Sequence, residues 1–552
     1  MTEDHSTICA RIQGLLTKKG FSASAIDFRE FPDELIVVVN VPQEDHSAVL
    51  QITTEIDELI PGNGFSVVRA AQASSPDTLT SVKSVADERV TRLIELLNER
   101  SRTSEQQPSL SYIRDAAENL RVALTKRHHL ILGRRGVGKT ALLLEAKAQI
   151  ETSGGLVVWI NMQSLRELGA LKAFLNIVQR VCELPKMIHK HRSEPPRSVA
   201  LAAELDERVG NLLAQRLLKR RDCAQVVADA QRMINIFCAE RAADLYIFVD
   251  DVHYVEMQSQ PVFLDLLHGI TRDTSAWLNI AGIKNQCRVF TDNPPVGLQI
   301  GHDAALISLD VTLEEPKKAL AFLTSVLRAY LATAGIANRS GVLTNSALER
   351  LVLASGGVPR DFLLLSARSI QISRQRTKAR TVGVQDVNEA AGDAGKQKRA
   401  ELEDDAASAI GQAKLRLTAL ETVRAFTIDE HHCSFFRVNF RDKEALQEEY
   451  RVLQSLMDLR MLHLVKSSLS EAHGAGERSE VYMIDLSEFS GSRLKKHMSV
   501  IELINDNLVL RKTGETSETL VADTGRKLVQ LFRTGPLFSL DRLTPLLAVQ
   551  AA

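Results

Sequence analysis

Residues 133–140 constrain the fold of this 552-residue chain more than any other segment. They read GRRGVGKT and match the pattern G-x-x-x-x-G-K-[S/T]. An apolar run at 129–132 precedes the segment, and a run of helix-forming residues at 141–145 follows it. A strand, a glycine-rich loop and a helix in this order form the arrangement in which such a loop holds phosphate groups. We therefore predict an α/β fold with a parallel sheet and a phosphate-binding loop at its carboxyl edge.

Each residue type in this loop has a physical task in holding the phosphates of ATP. Glycines let the backbone bend closely enough for its N–H groups to surround the phosphates. The ammonium of Lys139 would reach the β- and γ-phosphate oxygens, and the hydroxyl of Thr140 would ligate Mg²⁺. A glycine-rich turn without nucleotide is the alternative, and the strand–loop–helix context disfavours it. The predicted nucleotide-binding residues are Gly133, Arg134, Arg135, Gly136, Val137, Gly138, Lys139, Thr140 and Ala141.

A second apolar run, 246–249, ends in two acids, Asp250 and Asp251. Ligands of open α/β sheets bind at the carboxyl ends of the strands, so we predict that Asp250 holds Mg²⁺ together with Thr140. Asp251 is expected to orient or polarise the attacking water during ATP hydrolysis. A turn that merely begins with aspartate is the alternative. Many hydrolytic ATPases carry glutamate in place of Asp251, so the shorter side chain predicts slow turnover.

The order of these motifs resembles the AAA+ and STAND branches of the P-loop ATPases. The resemblance rests on 133–140, Asp250, Asp251, Asn285 and the segment 356–360, and it extends over roughly 109–484. Within these branches, the chain looks most similar to the origin-recognition initiator ATPases and their bacterial relatives. The resemblance implies ATP binding and hydrolysis, self-assembly and a helical lid that responds to the nucleotide.

The resemblance also assigns roles to two residues outside the phosphate-binding loop. Asn285 follows the apolar run 277–283 and matches the "sensor 1" position near the γ-phosphate, with Lys284 as its neighbour. A plain turn residue is the alternative for Asn285. Arg360 follows the G-x-P pattern at 357–359 and matches the "sensor 2" arginine of the lid, which would point at the γ-phosphate. A helix–loop–helix break with a surface arginine is the alternative for Arg360.

Short apolar runs at 156–160, 245–249, 278–283 and 305–309 alternate with helical patterns and predict a parallel sheet that is covered on both faces.

We predict an α/β fold with a P-loop ATPase core, a helical lid, a C-terminal winged helix and a small N-terminal α/β domain. The expected units are a docking domain at 1–72, a linker and helix at 73–109, the core at 110–312 with a helical insertion at about 185–240, the lid at 313–397, a linker helix and winged helix at 398–490, and an irregular C-terminal extension with one helix at 491–552.

Composition and net charge limit the binding partners and the cellular location that we expect for this chain. The net charge of −1 gives no global attraction to nucleic acid, so DNA binding would need a local basic patch. The six cysteines form no C-x-x-C pair, and no apolar run reaches the roughly 18 residues of a membrane span. We therefore expect a cytoplasmic protein without membrane contact. No zinc site is expected at the histidine groups, which are His128 with His129, His189 with His191, and His431 with His432 and Cys433.

Candidate DNA contacts and a candidate arginine finger have weaker signals. Basic patches occur at 374–380 and 219–221, whereas the expected recognition helix at 443–459 mixes acids with cations. A solvated surface is the alternative for each patch. Arg288 and Arg272 lie where AAA+ proteins supply an arginine to a neighbouring subunit, but neither lies in a clear motif.

Two principal hypotheses follow from these observations. The first is an ATP-dependent switch that self-assembles and engages DNA or a partner protein, in replication initiation, transposition targeting or anti-phage defence. The second is a STAND-type signalling ATPase whose winged helix packs on the nucleotide domain and which acts through protein contacts without DNA. A remodelling motor is a weaker third alternative. In each case, the N-terminal domain is expected to dock a protein partner.

Overall fold

The computed structural model describes residues 5–23, 25–31, 34–42, 45–61, 64–70, 79–99, 112–113, 118–188, 195–376, 380–406, 410–470, 477–491, 497–513, 520–522 and 525–551. Within these ranges, the model contains no helix with the length and apolarity that crossing a membrane requires.

The helices are α1 His5–Lys18, α2 His46–Leu50, α3 Thr53–Asp57, α4 Glu88–Glu99, α5 Asn119–Ala123, α6 Lys139–Thr152, α7 Gly169–Ile188, α8 Arg197–Leu213, α9 Ala224–Arg241, α10 Gln260–Thr271, α11 Pro316–Thr333, α12 Asn345–Ala354, α13 Pro359–Gln375, α14 Val384–Ala406, α15 Ile410–Arg424, α16 Phe440–Ala445, α17 Gln447–Asp458, α18 Gly525–Arg533 and α19 Thr544–Ala551. The strands are β1 Ala25–Phe31, β2 Glu34–Val41, β3 Phe65–Ala70, β4 His128–Leu132, β5 Leu156–Asn161, β6 Leu245–Asp250, β7 Ala276–Gly282, β8 Phe290–Asp292, β9 Pro295–Gly297, β10 Ala304–Ser308, β11 Phe435–Asn439, β12 Leu462–Ser470, β13 Arg478–Ile484, β14 Ser499–Ile504, β15 Asn507–Lys512 and β16 Leu520–Ala522.

A parallel five-stranded sheet of order β10-β4-β7-β6-β5 forms the centre of the molecule, which confirms the predicted α/β core. Every residue of β4 and β6 is buried, as expected for strands that carry helices on both faces. β7 lies between β4 and β6, so the loop after β4 and the acids after β6 flank the end of β7. The phosphate-binding loop, the two acids and Asn285, which follows β7, therefore lie at the same edge of the sheet.

The N-terminal residues form a separate small α/β unit. Its sheet has the order β1-β2-β3, with β1 antiparallel and β3 parallel to β2. Ile8, Ile12 and Leu16 of α1 share one hydrophobic core with Val37 and Val39 of β2. These two valines are two positions apart, the spacing of side chains on one face of a strand.

The helices α11–α14 occupy the segment that we predict as a lid, and α4 packs against α11 and α13. Val90 and Leu93 of α4 belong to the same hydrophobic core as the lid helices. The Nε atom of Arg374 donates a hydrogen bond of 2.6 Å to the carbonyl of Val85. Residues 79–99, which we expected as a linker and helix, therefore contribute to the lid core.

The segment after α15 contains the antiparallel sheet β11-β13-β12 with α16 and α17. The expected recognition helix at 443–459 is divided between α16 and α17, because Leu446 has non-helical dihedral angles (φ −116°, ψ 61°). These elements are those that a winged helix contains, and the interpretation as a winged helix stays a prediction.

The C-terminal segment differs from the irregular structure that we expected. It contains the sheet β14-β15-β16 in addition to the predicted helix, which is α18. Asn505 and Asp506, both with positive φ, join β14 to β15 as a two-residue turn. Such a pair between apolar runs is a hairpin signal that the sequence carried.

Candidate nucleotide-binding site

Two glycines of the predicted phosphate-binding loop take backbone conformations that favour glycine. Gly136 has φ +84°, and Gly138, which caps the N-terminus of α6, has φ +102°. These conformations strain any residue with a Cβ. The free N–H groups at the start of α6 lie at the end of this loop, where the helix dipole favours bound phosphate.

Lys139 lies inside the curve of the same loop. Its side chain is buried, and Nζ donates hydrogen bonds of 3.0 Å to the carbonyls of Gly133 and Arg134. Burial lowers the pKa of Lys139, although Asp251 and Asp250 favour its charged form. The ammonium is therefore held at the loop by backbone oxygens that phosphate oxygens could replace.

Thr140 and Asp250 meet as the sequence predicted for a magnesium site. The hydroxyl of Thr140 donates a 2.7 Å hydrogen bond to Oδ2 of Asp250. Two adjacent ligands of an octahedral Mg²⁺ ion lie about 2.9 Å apart, and oxygen ligands suit this ion. Burial raises the pKa of Asp250 to about 7, with the neighbouring Asp251 carboxylate as the second cause. A divalent cation would favour the ionised form, so these two residues fit Mg²⁺.

Asp251 begins the turn that follows β6. Its backbone is left-handed (φ +60°), and it caps the short 3₁₀ turn Val252–Tyr254. Burial raises the pKa of Asp251, against the opposing effects of Lys139 and Arg135. Its side chain remains 28% exposed, so this carboxylate can meet water at the edge of the sheet.

Asn285 lies at the same edge, in the 3₁₀ turn Lys284–Gln286 after β7, and is partly buried, whereas the neighbouring Lys284 is exposed. The Nδ2 atom of Asn285 donates a 3.1 Å hydrogen bond to Oδ1 of Asp458 at the end of α17. Asp458 is only 3% exposed, and burial raises its pKa to about 6. The structure thus places a carboxylate from the C-terminal part of the chain against the predicted sensor asparagine.

Arg360 lies in the first turn of α13, directly against the phosphate-binding loop. Its backbone N–H donates a 3.3 Å hydrogen bond to the carbonyl of Gly136. A Cβ atom on Gly136 would lie 2.9 Å from Cβ of Arg360, so a glycine is needed at this approach. The first turn of the lid helix and the loop therefore touch through their backbones.

Arg134 provides a second link between the loop and the lid. Its guanidinium is 4% exposed and lies 3.3 Å from Oδ1 of Asp310. It also donates hydrogen bonds to the carbonyls of Val311 (2.9 Å) and Gly356 (3.1 Å). Sequence reasoning assigned Arg134 only to the phosphate cradle, because these partners are at least 176 positions away.

A buried set of five charged or polar side chains joins the lid to the segment after α15; we call it the junction network. Its members are Asp361, Lys398, Arg460, His463 and Asp485. Lys398 Nζ lies 3.1 Å from Asp485 and 3.7 Å from Asp361, and Arg460 pairs with Asp361. His463 Nε2 lies 2.8 Å from Asp485. Although burial opposes it, Lys398 and then His463 hold the pKa of Asp485 well below its usual range.

The junction network touches the predicted lid signature. A Cβ atom on Gly356 would lie 1.9 Å from Nδ1 of His463, so this glycine allows the imidazole to approach the lid. Asp361 is the residue after Arg360, and it binds Arg460 at the other end of the network. No sequence motif predicts the junction network, because its members are up to 124 positions apart.

Most described cations of the predicted DNA-binding patches are paired within the chain. Arg220 lies 2.6 Å from Asp265, and Lys443 lies 2.8 Å from Glu480. Arg376 pairs with Asp386, and Arg451 pairs with Glu448. Residues 377–379 of the lid patch lie outside the described ranges. The two arginine-finger candidates, Arg288 and Arg272, are both exposed.

The histidines at which we predict no zinc site lie in different surroundings. His129 lies 3.1 Å from the side chain of Asn279, and His128 accepts a 3.0 Å hydrogen bond from the backbone of Leu278. His189 and His191 lie outside the described residues. Among the residues that the structure describes, no group of three or more metal-binding side chains converges.

Comparison with known proteins gives one family match. A model of the AAA ATPase domain family matches residues 107–278. Curated protein sequences give no match. Similar solved structures include the Orc1 protein of Aeropyrum pernix in complex with DNA, at 16% identity and a TM-score of 0.32, over 74% of this chain and 91% of that chain.

Two bacterial structures are also similar. Domain III of the Thermotoga maritima replication initiation protein DnaA has 12% identity and a TM-score of 0.27, over 49% of this chain and 87% of that chain. The Thermotoga maritima RuvB Holliday junction branch migration motor has 13% identity and a TM-score of 0.25, over 50% and 70%. The family match includes the phosphate-binding loop, Asp250 and Asp251. Residues 107–278 therefore match the AAA ATPase domain family, and the resemblance of this chain to the AAA+ P-loop ATPases is confirmed.

Proposed function

We propose that the chain is an ATP-dependent molecular switch that hydrolyses ATP slowly and changes its contacts with the nucleotide state. The hydrogen bond from Arg360 to the carbonyl of Gly136 is the observation that carries this proposal. Because the lid helix starts on the phosphate-binding loop, any change in the phosphates would alter the position of the lid. Arg360 would contact the γ-phosphate, and its release after hydrolysis would free the lid.

The residues at the sheet edge divide the chemistry between them. Thr140 and Asp250 would hold Mg²⁺, which neutralises charge on the phosphates when bound. Lys139 would exchange its carbonyl partners for phosphate oxygens. Asp251 would accept a hydrogen bond from the water whose oxygen bonds to the γ-phosphorus. As the bond to the bridging oxygen breaks, the proton of the water passes to the phosphate product.

Replacing Arg360 tests the switch. We expect Arg360→Ala to reduce the preference for ATP over ADP by about tenfold or more, since a hydrogen bond to a charged group contributes roughly 1.5–3 kcal/mol. Equilibrium binding of both nucleotides measures this ratio. Arg368→Ala, in the same helix but in a half-exposed pair with Asp393, is the matched control and should keep the wild-type ratio. An unchanged ratio in Arg360→Ala would remove the lid from nucleotide sensing.

Replacing Asp251 tests hydrolysis. We expect Asp251→Asn to bind ATP and to retain the ATP-bound state, while phosphate release falls sharply, because a neutral amide oxygen accepts the hydrogen bond of the attacking water more weakly than a carboxylate does. Particle mass with ADP and with a slowly hydrolysed ATP analogue would report self-assembly in the two states. Wild-type turnover and assembly in this variant would mean that Asp251 has another role.

We also propose a partner-binding output for the switch, with DNA or a protein as the partner. The pathway classes that suit such a switch are replication initiation, transposition targeting and anti-phage defence. The separate hydrophobic core of the N-terminal unit supports a docking role for the domain predicted at 1–72. We expect the protein to act in the cytoplasm.

A second candidate function, signalling through protein contacts without DNA, is favoured by the contact between Asp458 and Asn285. Because α17 packs against the turn Lys284–Gln286, the segment after α15 contacts the nucleotide domain. The paired cations Arg220, Lys443 and Arg451 also leave less charge for DNA phosphates. Duplex binding that weakens steeply with salt favours the DNA-binding switch, whereas no binding with or without ATP favours this second candidate.

A further inference from the structure

His253 is a buried imidazole beside the proposed catalytic acid. The left-handed conformation of Asp251 reverses the chain after β6, and the N–H of Tyr254 donates a 3.0 Å hydrogen bond to the carbonyl of Asp251. This short turn brings Nδ1 of His253 to 3.8 Å from Oδ1 of Asp251. The contact between His253 and Asp251 therefore follows from the local backbone.

The surroundings of His253 fix its ring but leave one nitrogen unsatisfied. The side chain is 5% exposed, and the ring stacks on Tyr254 with the centroids 4.7 Å apart. Nδ1 is buried, and no described group lies within hydrogen-bonding distance of it. Buried polar atoms nearly always have a partner, so an unsatisfied one beside a carboxylate indicates a bond that forms in another state of the protein.

The charge state of His253 allows it to donate a neutral hydrogen bond. Burial, together with the positive charges of Lys139 and Arg135, lowers the pKa of His253 to about 3. The imidazole is therefore neutral near pH 7, with a proton on one nitrogen. Its interaction with Asp251 is consequently a potential hydrogen bond and not an ion pair.

We propose that His253 is a positioning residue for Asp251 in the nucleotide-loaded site, where its Nδ1–H donates to Oδ1 of Asp251. This inference rests on the proposed role of Asp251 in hydrolysis. Closing the gap from 3.8 Å to the usual 2.7–3.2 Å needs a shift of less than about 1 Å, and catalytic hydrogen bonds often tighten on substrate binding.

A fixed donor has a specific use at this carboxylate. Lys139 and Arg135 both attract Asp251, and without a third partner its carboxylate could turn towards either cation. A hydrogen bond from a rigid imidazole would hold Oδ1 and leave Oδ2 to accept the hydrogen bond of the attacking water. His253 would then act through Asp251 without touching the nucleotide.

Two substitutions of His253 distinguish the role of its hydrogen-bond donor from the role of its aromatic ring. His253→Phe keeps an aromatic ring against Tyr254 but removes the donor, whereas the amide of His253→Asn keeps a donor near the position of Nδ1. We expect kcat to fall about ten- to hundredfold in His253→Phe, as for the loss of a hydrogen bond to a charged group. The KM and Kd for ATP should stay within about twofold of the wild type. His253→Asn should recover most of the lost kcat.

The double variant His253→Phe/Asp251→Asn shows whether the two residues act as a unit. We expect it to be no slower than Asp251→Asn alone, because groups that act through one another are not additive. Equal losses in His253→Phe and His253→Asn, accompanied by weaker ATP binding, would show a merely structural histidine and overturn the inference.

The remaining outcomes separate this inference from the proposed function. If Asp251→Asn is inactive and His253→Phe turns over like the wild type, only the role of His253 is wrong. If Asp251→Asn turns over like the wild type, the catalytic assignment of Asp251 fails, and the role of His253 fails with it. A wild-type protein that hydrolyses no ATP would overturn both.

Discussion

At the nucleotide site, Asp250 and Asp251 lie side by side near the buried ammonium of Lys139, whereas the junction network pairs each of its acids with a cation or an imidazole. The consequence appears in the pKa values. Burial raises the pKa of Asp250 to about 7, but Lys398 and His463 hold the pKa of Asp485 well below its usual range. The acids of the junction have their partners within the chain, while those of the nucleotide site lack sufficient positive charge.

This difference indicates what each region is built to do. Buried acids with raised pKa values are a common feature of functional sites, because the missing charge is supplied by a ligand. A buried network whose charges are satisfied holds two parts of a protein in one arrangement, although it contributes little net stability compared with an apolar core. We therefore expect substitutions at the first region to change binding and those at the second to change folding.

Removing the ammonium of the nucleotide site should give the largest effect. We expect Lys139→Ala to weaken ATP binding by roughly a hundred- to ten-thousandfold, since two hydrogen bonds to charged phosphates contribute about 1.5–3 kcal/mol each. Titration with a fluorescent nucleotide measures the affinity. Lys147→Ala, in the same helix but paired with Glu151, should bind like the wild type. Equal weakening in both variants would point to damage of α6 as a whole.

Breaking the junction network should destabilise the fold by about 3–5 kcal/mol, because Asp485→Ala leaves buried cationic Lys398 without its main partner. Urea unfolding measures the change, and Asp485→Asn serves as a milder variant if the alanine variant does not fold. Asp265→Ala, which breaks the more exposed pair with Arg220, should cost less than about 1 kcal/mol. Similar losses at the two positions would contradict the distinction between buried and exposed pairs.

The two regions also differ in how far the sequence predicts them. The phosphate-binding loop, Asp250 and the strands that carry them are local patterns, because a glycine-rich turn or an apolar run determines its own conformation. The parallel sheet and its motifs at one edge were therefore predictable. The hairpin of β14 and β15 was predictable as well from Asn505 and Asp506, and our prediction of irregular structure there is wrong.

The junction network and the partner of Asn285 were not predictable in this way. Asp458 lies 173 positions from Asn285, and their contact depends on how whole helices pack. A buried aspartate in an amphipathic helix such as α17 carries no local signal that names its partner. His253 is different, since it is two residues from Asp251, but its importance becomes visible only when its buried, unsatisfied nitrogen is seen.

Asp458 lies between the two regions and should make their contact sensitive to pH. Its pKa is raised from 3.8 to about 6, so the folded state binds a proton that the unfolded chain releases. This group therefore stabilises the fold increasingly as the pH falls from 7 towards 4, by at most about 3 kcal/mol.

Urea unfolding at pH 7 and pH 5 measures this effect. The increase in stability at pH 5 should be smaller in Asp458→Asn than in the wild type, because the amide does not titrate. Asp506→Asn, in an exposed turn, should keep the wild-type pH dependence. If Asp458→Asn follows the wild-type curve, the carboxyl is not the group that links this contact to pH.

The smallest effect is expected at an exposed pair outside the junction network, Lys466 with Glu314. Oε1 of Glu314 accepts hydrogen bonds from Lys466 (3.2 Å) and from the hydroxyl of Ser467 (2.9 Å), but Lys466 is 40% exposed. Exposed ion pairs contribute about 0.2–1 kcal/mol and are screened by salt. We therefore expect Glu314→Ala to lower the free energy of unfolding by less than about 1 kcal/mol at low salt, and by less again at 1 M salt. Glu315→Ala, which removes a local pair with Lys318, is the neighbouring control. A loss in Glu314→Ala as large as that in Asp485→Ala would contradict the distinction between the exposed pair and the buried junction network.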